Sequence, residues 1–127
     1  MTEITILALY GLLVLLNLVL QATGALQQLS MGYLLSSRDE GRTVTGMAAR
    51  LERALNNSIT AMVLFAPAVL LIVIQDKNSS GTLLAAQAFL VGRIIYLPAY
   101  AFRLVGVRTL AWTAGFVATV ALYLMAL

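Results

Sequence analysis

Four polar side chains recur at helical spacing where a polar segment runs into an apolar one. Arg50, Arg53, Asn57 and Thr60 follow one another in steps of three, four and three, so they share one face of a helix. Guanidinium groups bind carboxylates through paired N–H donors, and an asparagine adds a neutral donor and acceptor. This stripe therefore indicates a site for an anion that carries carboxylates.

A second stripe of the same kind occupies the segment "GRIIYLPAYAFRL". Arg93, Tyr96, Tyr100 and Arg103 follow steps of three, four and three, and Arg93 has no charged neighbour closer than Arg103. A charge inside a membrane span is costly and normally faces a polar cavity or a partner. We therefore expect Arg93 to face a polar cavity or a carboxylate inside the fold, whereas Arg103 fits the membrane surface.

The chain contains no cysteine and no histidine. Disulfides, Cys/His metal sites and nucleophilic triads built on histidine are thereby excluded, and we predict no metal site. Chemistry must come from the arginines, tyrosines, carboxylates and the lysine, or from a reactive group on a bound cofactor.

The composition is that of an integral membrane protein. Hydrophobic residues make up 61% of the 127 residues and charged residues 10%, whereas soluble domains have about 25% charged residues. Four apolar runs, about 4–29, 54–74, 82–102 and 109–127, are each near the length that crosses a bilayer as a helix. The sequence predicts one all-α domain, a bundle of four transmembrane helices, in which the loop 30–53 forms turns or a short helix.

Loop charges predict the orientation of these spans. Six arginines lie in the first and third loops: Arg38, Arg42, Arg50, Arg53, Arg103 and Arg108. The second loop carries only Lys77 as a basic residue, so both termini are expected on the non-cytoplasmic side. The net charge of +3 follows from this bias, and no nucleic-acid-binding motif is present. Both arginine stripes then meet at the cytoplasmic face, and the compact loops favour a bacterial inner membrane.

The first span carries a polar stripe of its own. Asn17, Gln21, Gly24 and Gln28 are spaced by four, three and four residues. Small and polar side chains on one face let helices approach closely and hydrogen-bond across the interface. We interpret this stripe as a seam that faces the bundle or a neighbouring subunit, with a pore lining as the alternative.

The segments "RLERALNN" and "GRIIYLPAYAFRLVGVRTLAW" resemble the MAPEG family, the membrane-associated proteins of eicosanoid and glutathione metabolism. The second helix of that family typically reads R-x-x-R-A-x-x-N-x-x-E, and the third carries an arginine followed seven residues later by a tyrosine. The length, the four spans and the long first loop are similar as well, so the resemblance covers essentially the whole chain.

The resemblance implies a glutathione site between the protomers of a homotrimer. It implies that glutathione, as co-substrate, contacts Arg50, Arg53, Asn57, Arg93 and Tyr100. Tyr96 shares the stripe of Arg93 and Tyr100, so we expect it to contact glutathione as well. It also implies that Arg108 stabilises the thiolate. The expected function is then a glutathione-dependent transferase or peroxidase that acts on lipophilic electrophiles, with membrane lipids and the chain itself as partners.

Four positions depart from the family pattern. Thr60 replaces the glutamate of the second helix, Leu55 and Asn56 replace a histidine and a basic residue that are often found there, and Trp112 stands where a tyrosine is common. The same scaffold has non-enzymatic members, so a lipid- or fatty-acid-binding protein remains the alternative function. A small multidrug transporter is disfavoured, because proton-coupled export needs a carboxylate within a span, and all five carboxylates fall in termini or loops.

Overall fold

The computed structural model describes residues 1–127 and contains five helices and no strand. The helices are α1 Glu3–Gln28, α2 Met31–Leu35, α3 Gly46–Ile74, α4 Ser80–Ala101 and α5 Val105–Ala126. All but α2 are long and apolar enough to cross a membrane. The predicted bundle of four transmembrane helices is thereby confirmed, and α2 is the one short helix in the first loop.

Helix α3 begins eight residues before the predicted start of its span. It starts at Gly46 rather than near residue 54, so the loop that was predicted over 30–53 ends at Thr45. The segment "MAARLER" consists of good helix formers, and a helix continues through the membrane surface into water without interruption. Because hydropathy detects only the part inside the hydrocarbon, it missed this helical extension, which carries Arg50 and Arg53.

The polar stripe of α1 faces α3 rather than a pore. The side-chain amide of Asn17 lies 3.3 Å from Ser58 Oγ. A Cβ added at Gly24 would lie 3.0 Å from the Cβ of Ala48, so the two helices approach closely at this glycine. Further along α1, Gln28 Oε1 accepts a hydrogen bond from the Thr45 N–H at 2.7 Å, and Gln28 Nε2 donates to the Thr45 carbonyl at 2.9 Å. The stripe is therefore the seam of the bundle, and it fixes where α3 begins.

An aromatic cluster forms the core between α1, α3 and α4. Phe65 of α3 stacks on Phe89 of α4 with ring centroids 3.8 Å apart, and Tyr10 of α1 packs edge-on against Phe89 at 4.8 Å. The Tyr10 hydroxyl donates to the Ser58 carbonyl at 2.7 Å. These contacts hold α1, α3 and α4 in one fixed arrangement.

The α4–α5 contact depends on Gly92. A Cβ at this position would lie 2.9 Å from the carbonyl oxygen of Ala111, a distance that no side chain tolerates without a shift of the backbone. Since Gly92 precedes Arg93, and Ala111 lies near the start of α5, this approach sets the position of Arg93 relative to Arg108.

The opposite end of the bundle contains a buried carboxylate. Glu3, which the sequence places at the terminus, is 4% exposed. It accepts hydrogen bonds from the Thr82 hydroxyl and from Asn78, while Lys77 donates to the Ala126 carbonyl at 3.0 Å. These bonds join the start of α1 and the end of α5 to the α3–α4 loop.

Candidate functional site

The two arginine stripes meet directly within one chain. Arg53 Nε of α3 lies 3.2 Å from the Tyr100 hydroxyl of α4. Arg50 Nε donates to the carbonyl oxygen of Ala101, the last residue of α4, at 2.8 Å. This carbonyl belongs to the last turn of α4, where backbone acceptors lack partners within the helix, so Arg50 also caps that helix end. The convergence that the spacing predicted is thus present in the fold.

Arg93 lies at the centre of the contact between α3 and α4. Its Nη1 donates to Asn57 Oδ1 at 2.8 Å and its Nη2 to Ser58 Oγ at 2.9 Å. The guanidinium also lies over the Tyr96 ring, 4.1 Å from the centroid, a favourable cation–π geometry. Arg93 is only 3% exposed, so these contacts replace the water that the charge has lost.

No carboxylate contacts the Arg93 guanidinium. The only salt bridge in the structure joins Arg42 to Glu40 in the first loop, and Arg93 Nε is buried without a hydrogen-bond partner. Of the two partners that the sequence suggested for Arg93, the polar surroundings are present and the carboxylate is not. The bundle therefore contains a buried positive charge that neutral acceptors and a tyrosine ring hold in place.

Arg108 opens α5 and reaches back to α4. Its guanidinium lies over the Tyr100 ring, 4.7 Å from the centroid, and Tyr96 lies next to Tyr100 with ring centroids 5.6 Å apart. Together with Thr109 and Trp112, these three residues line a recess of about 260 Å³. Tyr100 thus contacts arginines from both neighbouring helices, Arg53 through its hydroxyl and Arg108 through its ring.

A longer groove continues from this recess along α3, α4 and α5. Its volume is about 330 Å³, and Trp112 lines both the groove and the recess. The remaining wall residues are Asn57, Thr60, Ala61, Leu64, Phe89, Arg93, Gly115, Phe116, Thr119, Val120 and Tyr123. The Tyr123 hydroxyl donates to the Leu64 carbonyl at 2.6 Å and joins α5 to α3 beside the groove.

Thr60, which stands where the family pattern has a glutamate, lies on the surface of the chain. Thr60 is exposed, and its hydroxyl donates to the Asn56 carbonyl of its own helix at 3.0 Å. Glu52 is also exposed and forms no ion pair. The α3 face of the site therefore carries arginines and an asparagine but no negative charge.

The loop arginines are held within their own loop. Arg38 donates twice to the Leu34 carbonyl, at 3.1 and 3.0 Å. Arg42 pairs with Glu40 at 2.6 Å and lies over the Tyr33 ring, and the Glu40 carboxylate raises the pKa of Arg42. Arg103, at the α4–α5 corner, is exposed and has a left-handed backbone with φ +63°.

Ser58 is a hydrogen-bonding residue of the candidate site that sequence reasoning missed. Its hydroxyl contacts both Asn17 and Arg93, and its carbonyl accepts from Tyr10. It lies next to Asn57 in the chain but outside the stripe of spacing three and four, so no pattern distinguishes it from an ordinary small residue. Only the pairing of α1, α3 and α4 identifies it as the point where three helices share hydrogen bonds.

Comparison with known families gives one match. The model of the MAPEG family matches residues 4–127, nearly the whole chain. No curated protein matches the sequence.

Proposed function

The chain belongs to the MAPEG family, whose members include glutathione-dependent membrane enzymes, and on that premise we propose that it is a glutathione-dependent transferase or peroxidase for lipophilic electrophiles. The single observation that carries the proposal is the position of Tyr100. Its hydroxyl lies 3.2 Å from Arg53 Nε. The centroid of its ring lies 4.7 Å from the guanidinium carbon of Arg108. Arg108 and Tyr100 thus line a recess that is large enough to hold part of a small peptide, and Arg53 contacts the hydroxyl of the same tyrosine.

Arg50, Arg53, Asn57 and Tyr100 are the side chains proposed to contact the carboxylates and amides of glutathione. Arg53 is exposed and the other three are half-buried, so their polar atoms remain accessible to a ligand. Arg93 and Tyr96 are buried, and their proposed role is to hold Asn57 and the recess wall in position. The division follows from burial, because side chains that are only 3% exposed offer a ligand little contact surface.

Arg108 is the proposed catalytic residue. A guanidinium next to a thiol favours the charged form and lowers the thiol pKa, so glutathione would bind as a thiolate, the nucleophilic form. Stacking on Tyr100 restricts the orientation of Arg108 before a ligand binds. The Arg108 side chain therefore loses less conformational entropy on binding. In a transfer reaction the sulfur forms a bond to the electrophilic carbon, and the leaving group departs with its electron pair.

A peroxidase reaction uses the same thiolate. Sulfur attacks the outer oxygen of a lipid hydroperoxide, the O–O bond breaks, and the alcohol forms by taking a proton. A second glutathione then displaces the sulfenic oxygen as water and yields glutathione disulfide. This chain supplies the arginines, and glutathione supplies both electrons.

The proposal includes a homotrimer with the arginine-rich loops in the cytoplasm and both termini outside, in a bacterial inner membrane. Six of the seven basic residues outside the predicted spans support that orientation. Many large apolar side chains of α1 and α5 are exposed in the single chain, as expected for surfaces that contact lipid or further protomers.

The second candidate function is a non-catalytic protein that binds a lipid or a fatty acid. Thr60 favours it, because the family glutamate at this position is absent and the α3 face has no carboxylate to receive a cationic amine. Under this alternative the arginines would bind the acidic headgroup.

Calorimetric titration of the detergent-purified protein with glutathione tests the proposal, with thiolate absorbance in the ultraviolet followed in the same samples. We expect saturable binding and a thiolate signal that Arg108→Ala abolishes. Arg103→Asn is the matched control, since it removes an exposed arginine from the same corner and asparagine tolerates its left-handed backbone. Absence of binding at millimolar glutathione would contradict the enzyme proposal and favour the lipid-binding alternative.

A further inference from the structure

We propose that the α4–α5 corner and the outer face of α5 bind a phospholipid with an acidic headgroup. Arg103 holds the lipid phosphate, and an apolar strip on α5 receives an acyl chain. The strip consists of Val107, Leu110, Ala114 and Val117, all of which are exposed. The basis of the proposal is an arginine without an ionic partner at the end of a continuous apolar surface. The proposal does not depend on the proposed enzymatic function.

The corner between α4 and α5 lies at the membrane surface. Each of the two helices has 22 residues, or a length of about 33 Å, which is close to the thickness of the hydrocarbon. Arg50, which precedes the apolar part of α3, donates to the carbonyl of Ala101 at the end of α4. The connecting residues 102–104 are therefore at the depth of the lipid headgroups.

The charge of this corner is purely positive. The segment 102–108 contains Arg103 and Arg108 and no acidic residue. Arg108 lies over the Tyr100 ring, whereas Arg103 is exposed and forms no salt bridge. A phosphate group matches the N–H donors of a guanidinium. Arg103 is thus the arginine of this corner that is available to a lipid phosphate.

The side chains next to Arg103 are apolar. Phe102, Leu104 and Val105 are each more than half exposed. Exposed apolar clusters are unfavourable in water and mark surfaces that contact a membrane or another protein. At headgroup depth these side chains contact the upper part of the acyl chains, as apolar residues of interfacial segments do. The corner therefore combines an apolar contact with a phosphate-binding charge.

The apolar strip begins four residues after Arg103 and follows α5 into the membrane. Its residues are spaced by three, four and three, so they share one face of the helix. The groove wall on α5 includes Trp112, Phe116 and Tyr123. Trp112 is five residues from Val107, which is about 140° around the helix. The strip and the groove are consequently on different sides of α5, and a lipid on the strip leaves the candidate site open.

The two arginines of the corner favour an acidic headgroup over a zwitterionic one. Phosphatidylcholine also carries a phosphate, but its quaternary amine is repelled by Arg103 and Arg108. Phosphatidylglycerol has no such cation. An arginine near a membrane surface gives a preference for acidic lipids of about fivefold.

Photo-crosslinking of the intact protein in phosphatidylcholine vesicles tests the proposal. The probes are trace amounts of phosphatidylglycerol and phosphatidylcholine that carry the same diazirine-labelled acyl chain, and mass spectrometry identifies the labelled residues. We expect the phosphatidylglycerol probe to label residues 105–117 at least about fivefold more than the phosphatidylcholine probe. Unlabelled phosphatidylglycerol should displace it, a result that needs no protein variant.

Arg103→Asn and Arg38→Asn provide a matched pair. Both arginines are exposed and have a left-handed backbone, with φ +63° and +60°, which asparagine tolerates. Both loops lie at the same end of the bundle, and each substitution removes one positive charge. Arg103→Asn should reduce the preference for phosphatidylglycerol to less than about twofold, and Arg38→Asn should retain it.

Four results would overturn the proposal. Equal labelling by the two probes would indicate ordinary contact with the bilayer. Equal losses in Arg103→Asn and Arg38→Asn would indicate a general effect of charge. Displacement of the phosphatidylglycerol probe by soluble glycerol phosphate would indicate a site for a free phosphate. Crosslinks from the strip to a second copy of the chain, in place of lipid, would show that another protomer covers it.

Discussion

Asn57 and Arg93, one from each arginine stripe, are joined by a hydrogen bond of 2.8 Å between Asn57 Oδ1 and Arg93 Nη1. The side-chain N–H groups of Asn57 consequently remain as donors, and the half-buried Asn57 forms part of the wall of the groove. Arg93 therefore orients Asn57 from within the bundle, while the exposed Arg53 remains free to contact a ligand. The following predictions test this arrangement.

Ser58→Ala should destabilise the fold by about 1–3 kcal/mol, because it leaves a buried N–H donor of Arg93 without its acceptor and removes the contact between the Ser58 hydroxyl and the Asn17 amide. Thermal unfolding in detergent, followed by circular dichroism, measures the change. Ser37→Ala is the control, since the Ser37 hydroxyl is exposed and contacts only Asp39. Equal melting temperatures for the two variants would show that the Ser58 hydroxyl is not a structural partner of Arg93.

Tyr100 should reveal two separable roles. Tyr100→Phe removes the hydroxyl that contacts Arg53 but keeps the ring beneath Arg108. We expect glutathione affinity to fall about tenfold, or about 1.4 kcal/mol, with the thiolate signal of the bound peptide retained. Tyr100→Leu should lose that signal as well, because it removes the ring.

The measurement is the same calorimetric and absorbance titration, and Tyr33→Phe in the first loop serves as the control substitution. If Tyr100→Phe and Tyr100→Leu lost the thiolate signal equally, stacking on the ring could not be what orients Arg108.

Gly92→Ala should displace α5 from α4, since the added Cβ would lie 2.9 Å from the Ala111 carbonyl. Overpacking of this kind costs about 1–3 kcal/mol. The displacement also moves Arg93 relative to Arg108, so glutathione binding should weaken together with stability. Unfolding temperature and glutathione affinity are measured on the same preparation.

Gly106→Ala is the matched control for that substitution. A Cβ at Gly106 meets nothing within 4 Å, and alanine is the better helix former by about 1 kcal/mol. This variant should be as stable as the original protein or more stable. A Gly92→Ala protein of unchanged stability would mean that α4 and α5 adjust freely at this crossing.

Thr60→Glu should strengthen glutathione binding several-fold. Thr60 lies in the groove wall and is exposed. A glutamate at this position therefore restores the family pattern, and its carboxylate loses little hydration. It would receive the cationic amine of glutathione and offset the positive charge of the neighbouring arginines. Isothermal titration of the variant against the original chain measures the gain.

Asn56→Glu adds the same charge to the neighbouring residue, which does not line the groove, and should leave the affinity unchanged. Stronger binding in both variants would point to a general effect of charge, and weaker binding in Thr60→Glu would contradict the proposed position of the ligand.

Much of this site follows from local features of the sequence. The spacing of Arg50, Arg53 and Asn57 sets one helix face, and that of Arg93 and Tyr100 another, because the helical period depends only on the backbone. The four spans follow from runs of apolar residues, since backbone polar groups in lipid must be satisfied within a helix. The packing face of α1 could also be predicted from the sequence, because small and polar residues recur on one face of that helix.

Other features required the tertiary structure, because they depend on which helices are neighbours. Ser58 became a shared hydrogen-bond partner only through the packing of α1 and α4 against α3. Whether Arg93 would meet a carboxylate or neutral groups was open in the sequence, and the pairing of α4 with Asn57 and Ser58 decided it. Trp112 likewise gained its position between recess and groove from the approach of α5 to α4 at Gly92. A helix face can be derived from one segment, but the partner of that face is determined by contacts between residues far apart in the chain.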